Sequence, residues 1–542
     1  MLIKNNKITT FFLSLFFLAG CSSTMVKNKN LTTNNESKPT KTTITKSTEI
    51  RMNPLAFNYY VNGVLYETLS NIPAAAESYK KALQFYPNSY QIRYSLAQTY
   101  YKMKRFRDVL DLLDVISPKD GDVYIMRGAC YYALGEKDSS EMAYHKLVEI
   151  EPNKSTGYSY LVGFYSNKKD LDSLIWAYKN LTRTEPLNYR YWSQLGKLQV
   201  QKEDYSAAKI SFEKAIDIDN SRSNIMSYVN LGEIYRISNH YDSAINIYQQ
   251  AYIIDSNDFI VNKELALLYV HVDSLLKALP YAKKVVAISP LDRSEIRRLG
   301  IIYYSLDSLR QADSVFTYLV KSGEMNPVNY YYLGRIALLN KDYLKAVDEF
   351  TTLTDMADTV SESWLNLGYA YRQLKKPEKE ILTYQTSLGH VTNEKDTLQL
   401  MFALGAAYEQ NNQIEKAESA FENILKIDPN YVQALNYLGY MLADRGTRLN
   451  YAQKLIEKAI KKAPNNAAYL DSYGWVFYRM GKYNKALKYL KKAVSLDNDP
   501  TIFNHLGDIY KAKGNLKNAR QWWQKALKLA PNNDKIKRKL NQ

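Results

Sequence analysis

The stretch WLNLGYAY, Trp364 to Tyr371, places a small residue, Gly368, inside an apolar segment and a tyrosine three positions later. The arrangement returns along the chain after residue 55, with glycine or alanine at the small position. The small residues are Gly63, Ala97, Gly128, Gly196, Gly232, Ala266, Gly300, Gly334, Gly368, Gly405, Gly439, Gly474 and Gly507. With Val162 filling the gap after Gly128, eight of the 13 successive intervals are 34 residues long. Such a sustained period predicts a repeat protein.

Two further kinds of residue recur after the small residue in the periods, a large side chain and then a proline. Because proline cannot continue a helix beyond its first turn, the recurring proline marks the end of a second helix in the period. A large side chain recurs ahead of the proline, where it can fill the space above a small residue. These large residues are Tyr79, Phe212, Tyr248, Phe316, Phe350 and Trp523. The prolines are Pro87, Pro152, Pro186, Pro290, Pro429, Pro464 and Pro531.

The 34-residue period with Trp, Leu-Gly, Tyr, Ala, aromatic and Pro columns resembles the tetratricopeptide repeat (TPR). The resemblance implies an all-α fold, a right-handed superhelical solenoid of about fourteen helix-turn-helix units. One helix pair cannot bury its apolar face alone, so neighbouring units must stack. We assign units 1–5 to residues 56–222, units 6–10 to 223–397 and units 11–14 to 398–533. Residues 534–542 form a polar tail that is expected to solvate the open end of the array.

The N-terminus has the features of an export signal. Lys4 and Lys7 precede an apolar run that is too short for the roughly 20 residues of a spanning helix. Leu18-Ala19-Gly20-Cys21 resembles the lipobox of bacterial lipoproteins, which implies a cleaved signal over residues 1–20 and acylation of Cys21, for example with palmitate. Residues 21–55 are mostly polar and predict a disordered tether. In that family, Ser22 and the lack of an acidic run favour an outer-membrane lipoprotein that faces the periplasm.

No motif predicts catalysis. The five histidines are dispersed, no pair of them has zinc-site spacing, and the second cysteine, Cys130, lies far from all but one of them. No nucleophile has a base at a matching position. The sequence therefore predicts a protein that is not an enzyme and uses no metal or cofactor.

The TPR resemblance implies that the first helix of each unit lines a groove for a protein or peptide. The basic residues at these positions are Arg190, Lys197, Arg236, Lys263, Arg297, Arg335 and Arg372. The last units contribute Tyr440, Trp475, Tyr478 and Arg479. An acidic or carboxylate-rich segment is the expected ligand. The alternative is that the basic residues are merely solvated or paired with neighbouring glutamates.

Charge is concentrated at the C-terminus. Residues 448–542 hold 21 basic and six acidic residues, within a chain of net charge +17. Solubility explains such an excess in one interpretation, and contact with an anionic surface explains it in the other. An exported lipoprotein rarely meets nucleic acid, so no nucleic-acid partner is expected. The overall interpretation is a membrane-anchored, non-enzymatic scaffold of the bacterial cell envelope; the alternatives are an accessory component of a secretion or gliding machine and a regulator of cell-wall enzymes.

Overall fold

The computed structural model describes residues 53–541, and all regular structure in that range is helical. The signal, Cys21 and nearly all of the tether lie outside the described residues. The helices are α1 (Pro54–Thr68), α2 (Ile72–Phe85), α3 (Tyr90–Lys102), α4 (Phe106–Asp114), α5 (Gly121–Ala133), α6 (Lys137–Ile150), α7 (Ser155–Lys168), α8 (Leu171–Thr184), α9 (Tyr189–Gln201), α10 (Tyr205–Ile218), α11 (Ile225–Ile237), α12 (Tyr241–Ile254), α13 (Phe259–His271), α14 (Leu275–Ile288), α15 (Arg293–Ser305), α16 (Leu309–Lys321), α17 (Pro327–Leu339), α18 (Tyr343–Met356), α19 (Ser361–Gln373), α20 (Pro377–Ser387), α21 (Glu394–Gln410), α22 (Ile414–Ile427), α23 (Val432–Arg445), α24 (Leu449–Lys462), α25 (Ala467–Arg479), α26 (Tyr483–Leu496), α27 (Pro500–Ala512), α28 (Leu516–Leu529) and α29 (Asp534–Leu540).

Helices α1 to α28 form fourteen consecutive pairs, and each pair corresponds to one predicted repeat unit. We call the odd-numbered member of each pair the first helix and the even-numbered member the second helix. The all-α fold of about fourteen helix-turn-helix units is thereby confirmed. The chain divides into two compact bodies, with the boundary after Ser140 inside α6.

The N-terminal body contains α1 to α5 and the start of α6. Its core holds fully buried side chains from successive helices, among them Tyr79, Leu113 and Cys130. The C-terminal body contains the rest of α6 and α7 to α29. It holds the largest buried cluster in the described part of the chain, which extends from α17 to α27.

The small residues of the first helices face the large residues of the second helices. A Cβ atom added to Gly334 would lie 2.7 Å from Cζ of Phe350, and one added to Gly196 would lie 2.8 Å from the ring of Phe212. No real Cβ atom approaches a ring that closely, so glycine is what permits the two helices to pack at this distance. Gly439 faces Ile456 one position later than the pattern requires, because the segment from Gly439 to the start of α24 is one residue longer than in the other repeats.

The ends of the second helices follow the proline column. Pro87, for example, lies two residues beyond the end of α2, and Pro531 lies two residues beyond the end of α28. A second regularity concerns the backbone and has no constant residue type. In every repeat the residue seven positions after the small position has a left-handed backbone, with φ between 54° and 80°. Glycine occupies this position in only four of the fourteen repeats, at 135, 446, 481 and 514.

The tail contains a helix of its own. Residues 534–542 were expected only to solvate the last repeat, but α29 buries Ile536 to 2% exposure against a cluster that contains Trp523. The Lys539 ammonium of α29 lies 2.7 Å from both carboxylate oxygens of Asp508. The short helix therefore covers the apolar end of the array with Ile536 and is held there by Lys539, while its other charged residues are exposed.

Candidate interaction surface on the first helices

Consecutive first helices contact one another in the C-terminal body. Direct contacts join α15, α17, α19 and α21 in turn, and likewise α23, α25 and α27. Polar side chains also bridge them. The Tyr331 hydroxyl of α17 donates to Glu362 of α19 at 2.7 Å, and Ser227 of α11 bonds Ser193 of α9 at 3.1 Å. The exposed faces of these helices therefore form a row of adjacent surfaces, which we call the first-helix surface.

Five of the seven basic residues predicted to line this surface are already paired with glutamates. The pairs are Arg236 with Glu233, Lys263 with Glu295, Arg297 with Glu324, Arg335 with Glu362 and Arg372 with Glu380. Two of the glutamates, Glu295 and Glu380, are only 3% exposed, so their pairs are part of the packing. Arg297 also donates to Asn329 at 3.2 Å. Much of the predicted positive charge is thus compensated within the chain.

The other two predicted basic residues, Arg190 and Lys197, lie on α9 and differ from the first five in having no glutamate partner among the described residues. Arg190 is exposed, and its guanidinium contacts the Tyr189 hydroxyl at 3.4 Å. Lys197 lies about two turns further along the same helix. Neither has a carboxylate within ion-pair distance in the part of the chain that the structure describes. The uncompensated positive charge of the predicted set therefore lies at α9.

Large apolar side chains are exposed on the first helices that follow α9. Met226 and Ile237 of α11 are 43% and 41% exposed, and Leu339 of α17 is 54% exposed. Tyr369 of α19 is 43% exposed. Exposed apolar residues that recur on adjacent helices offer a ligand apolar contact area as well as charge.

The last repeats hold a different arrangement around Trp475. Its indole is 7% exposed and stacks on the His505 ring at a centroid distance of 4.0 Å. The indole nitrogen donates to Asp444 at 3.1 Å. Of the other predicted residues here, Tyr440 and Tyr478 are half-buried, and Arg479 is exposed and donates to the Asp444 carbonyl at 2.7 Å. Trp475 is therefore a packing residue in this structure, flanked by more accessible side chains.

His505 and Asp471 form a buried pair that joins α27 to α25. The His505 Nδ1 atom lies 3.0 Å from both carboxylate oxygens of Asp471, and the two side chains are 5% and 8% exposed. Burial by itself would lower the pKa of His505. The charge and hydrogen bond of Asp471, together with the charge of Asp508, act in the opposite direction, and the net shift of the pKa is upward. The sequence pattern did not single out His505. The signal that finds it is its separation of one repeat length, 34 residues, from Asp471.

The pair predicts a pH-dependent stability of the last repeats. Since the folded pKa of His505 is raised, the pair stabilises the fold fully below the unfolded pKa of about 6.5, and this contribution disappears as pH rises through the folded pKa. We expect His505→Gln to destabilise the last repeats by roughly 1–3 kcal/mol near pH 6 and by less at alkaline pH. Urea unfolding of the full chain, followed by tryptophan fluorescence, measures it. His271→Gln is the control and should not show this pH dependence. An effect of His505→Gln on the free energy of unfolding that is equal at all pH values would contradict the proposed role of the His505–Asp471 pair.

Residues 53–541 contain no group of three or more His, Cys, Asp or Glu side chains that could hold a metal ion.

Burial raises the pKa of the Cys130 thiol to about 12, which keeps the thiol protonated. No helix in this part of the chain has the length and apolar character needed to cross a bilayer.

Comparison with known proteins agrees with the repeat architecture. Tetratricopeptide repeat models match residues 70–122, 121–154, 189–222, 227–258, 361–389, 399–431, 467–500 and 500–533. The TPR repeat-containing protein PA4667 of Pseudomonas aeruginosa is 31% identical over 212 residues, which are 33% of this chain and 36% of that protein. The TPR repeat-containing protein MJ1428 of Methanocaldococcus jannaschii is 22% identical over 402 residues, 74% of this chain and 62% of that protein.

Two further similarities concern larger assemblies and a solved structure. Anaphase-promoting complex subunit 6 of Arabidopsis thaliana is 22% identical over 359 residues, which cover 62% of this chain and 65% of that protein. The chain thus spans about a third to two thirds of the length of these relatives. A tetratricopeptide repeat protein structure from Parabacteroides merdae is 15% identical with a TM-score of 0.33, and covers 50% of this chain and 98% of that one. Since the repeat models together match just over half of its residues, the chain belongs to the tetratricopeptide repeat family.

Proposed function

We propose that the protein is a non-enzymatic scaffold that binds a protein partner on its first-helix surface while a lipid on Cys21 holds it at a membrane. The observation that carries the proposal is that surface. Adjacent first helices present exposed apolar side chains beside two basic side chains that have no carboxylate partner among residues 53–541. A peptide laid across several helices can use both kinds of contact. One relative is named as a subunit of a multiprotein complex, which agrees with a scaffold role.

The ion pairs narrow the chemistry of the partner. Arg297 is only 17% exposed and is held by Glu324 and Asn329, so it has little capacity to bind a second carboxylate. The acidic part of a ligand is better served at α9, by Arg190 and Lys197. Met226 and Ile237 of the neighbouring α11 then receive apolar residues of the same ligand. The proposed ligand is therefore a segment with a few acidic residues next to apolar ones.

The location belongs to the same proposal. The lipobox-like Leu18-Ala19-Gly20-Cys21 and the following Ser22 support an outer-membrane lipoprotein that faces the periplasm. The polar segment from residue 22 to 52 would allow the repeats to reach a partner near that membrane. Contact of the basic C-terminal repeats with an anionic surface would add a second attachment to the lipid.

The test is recovery of the partner from detergent-solubilised envelopes with the full-length protein as bait. We expect Arg190→Glu together with Lys197→Glu to lower recovery roughly tenfold, because the carboxylates would repel an acidic segment. The matched control is Lys209→Glu together with Lys214→Glu, which makes the same charge change on α10 of the same repeat. Equal recovery with both double variants would reject α9 as the binding site.

A further inference from the structure

The second helices of the last three complete repeats carry almost only positive charge. Helices α24, α26 and α28 together have twelve basic residues and one acidic residue, Glu457. The basic residues are Lys454, Lys458, Lys461, Lys462, Lys485, Lys488, Lys491, Lys492, Lys517, Arg520, Lys525 and Lys528. The preceding second helix, α22, is different, since it carries three glutamates and two lysines. The charge of the second-helix layer therefore changes sharply between α22 and α24.

The acidic residues of these repeats do little to neutralise that layer. Asp471 is paired with His505, and Asp508 with Lys539 of α29. Asp499 caps α27 and accepts from the backbone amide of Thr501 at 2.6 Å. Among the twelve basic residues, and within the described part of the chain, only Lys461 has a carboxylate in ion-pair distance, Glu457 at 3.5 Å. The positive charge of the layer is thus left for solvent or for a partner.

Two of the lysines have a role inside the array. Lys492 donates to the carbonyl of Pro464 at 3.0 Å, and Lys458 makes the same bond to Pro429, so each binds the end of the preceding repeat. Lys525, at the equivalent position of the next repeat, instead lies over the Trp522 ring at 4.1 Å. Most of the remaining lysines are exposed without such a bond, so the fold does not require their charge.

We infer that the exposed lysines of α24, α26 and α28 form a surface that binds the anionic head groups of a phospholipid membrane. The inference rests on the proposed location of the protein at a membrane. The positive charge of this surface alone would also suit an acidic protein, but the predominance of lysine over arginine favours lipid head groups. Eleven of the twelve residues are lysine, which is depleted at protein interfaces, whereas arginine is enriched there for its fixed bidentate geometry. Mobile ammonium groups suit a fluid layer of phosphates, which needs no fixed register.

The test is co-sedimentation of the full-length Cys21→Ala protein with vesicles of phosphatidylglycerol and phosphatidylcholine or of phosphatidylcholine alone. The Cys21→Ala change removes the lipid anchor from every sample, and the apolar N-terminal run contributes to both vesicle types. We expect preferential binding to the anionic vesicles at about 0.05 M salt that is largely lost at about 0.5 M salt. We expect a roughly 100-fold weaker partition when six lysines are changed to glutamine. These are Lys454, Lys461, Lys488, Lys491, Lys525 and Lys528.

The matched control removes the same charge elsewhere. It changes six exposed lysines outside the surface to glutamine, namely Lys80, Lys179, Lys283, Lys321, Lys376 and Lys395. This control should retain the wild-type preference, and an equal loss in both variants would reduce the effect to net charge and overturn the inference. Polyglutamate is added as a competitor. If it displaces the protein from the anionic vesicles at a concentration of carboxylates well below that of the lipid phosphates, the surface would be assigned to an acidic protein instead. A loss of anchoring or of partner capture leaves this assay unaffected, so the two proposals fail separately.

Discussion

Phe350→Ala is expected to lower the free energy of unfolding of the central repeats by roughly 3–5 kcal/mol. The Phe350 ring is completely buried and fills the space above Gly334, so its removal leaves a cavity that the backbone cannot close. Because each repeat contacts only its neighbours, the loss should be greatest in α17 and α18 and in the repeats beside them. Urea unfolding gives the total effect, and hydrogen exchange of α17 and α18 gives its location.

A double-mutant cycle separates this contact from general damage. Gly334→Ala should cost roughly 1–3 kcal/mol in the wild-type background, because its Cβ would lie 2.7 Å from Phe350 Cζ. In a Phe350→Leu background the smaller side chain leaves room for the methyl group, so Gly334→Ala should cost clearly less. Strict additivity of the two changes would refute the proposed pairing of small and large residues. Leu344→Ala, at a site 66% exposed on α18, serves as the surface control.

Cys21→Ala should abolish incorporation of a clickable fatty acid into the protein. The sulfur of Cys21 is the proposed acylation site, and no other residue of the lipobox-like segment carries a thiol. Without the lipid, the protein should either keep its signal or leave the membrane fraction once about 0.5 M salt has removed the contacts of the basic second helices. Metabolic labelling followed by fractionation distinguishes these outcomes.

The chain provides its own control for this experiment. Cys130 is the only other cysteine, and it is completely buried within the N-terminal body. Cys130→Ala should therefore remain fully labelled. Label that persists on the Cys21→Ala protein would contradict the lipoprotein proposal.

The fold could be predicted because the residues that pack the two helices of a repeat against each other recur at fixed positions in the sequence. A glycine such as Gly334, a ring such as Phe350 and a helix-ending proline such as Pro290 recur at fixed separations, and the structure pairs them as the spacing indicates. The left-handed turn residue recurs just as regularly but has no constant side chain, being Glu203 in one repeat, Asn239 in the next and Gly481 later. A conformation that serine, lysine, aspartate and glycine all adopt leaves no residue signal. The same holds for α29, whose single buried residue, Ile536, lies in a charged segment.

The candidate site was less predictable, because three of its five ion pairs reach the next repeat or the loop that precedes it. Arg297 and Arg335 were identified on the first helices from their positions, but their glutamates come from the next repeat and its preceding loop. Each distance depends on how one repeat stacks on another. His505 shows the same limitation, since nothing near it in sequence identifies Asp471 as its partner.

The central claim is that a protein partner lies on the first-helix surface, and site-directed photo-cross-linking in the native host tests it most directly. The cross-linker replaces Met226 and Tyr369 on first helices and, as matched positions in the same repeats, Ile253 and Leu382 on second helices, which are 83% and 61% exposed. We predict a cross-linked adduct with the same discrete protein from Met226 and Tyr369 and none from Ile253 and Leu382. Adducts with that protein from the second-helix positions, or from none of the four, would contradict the account.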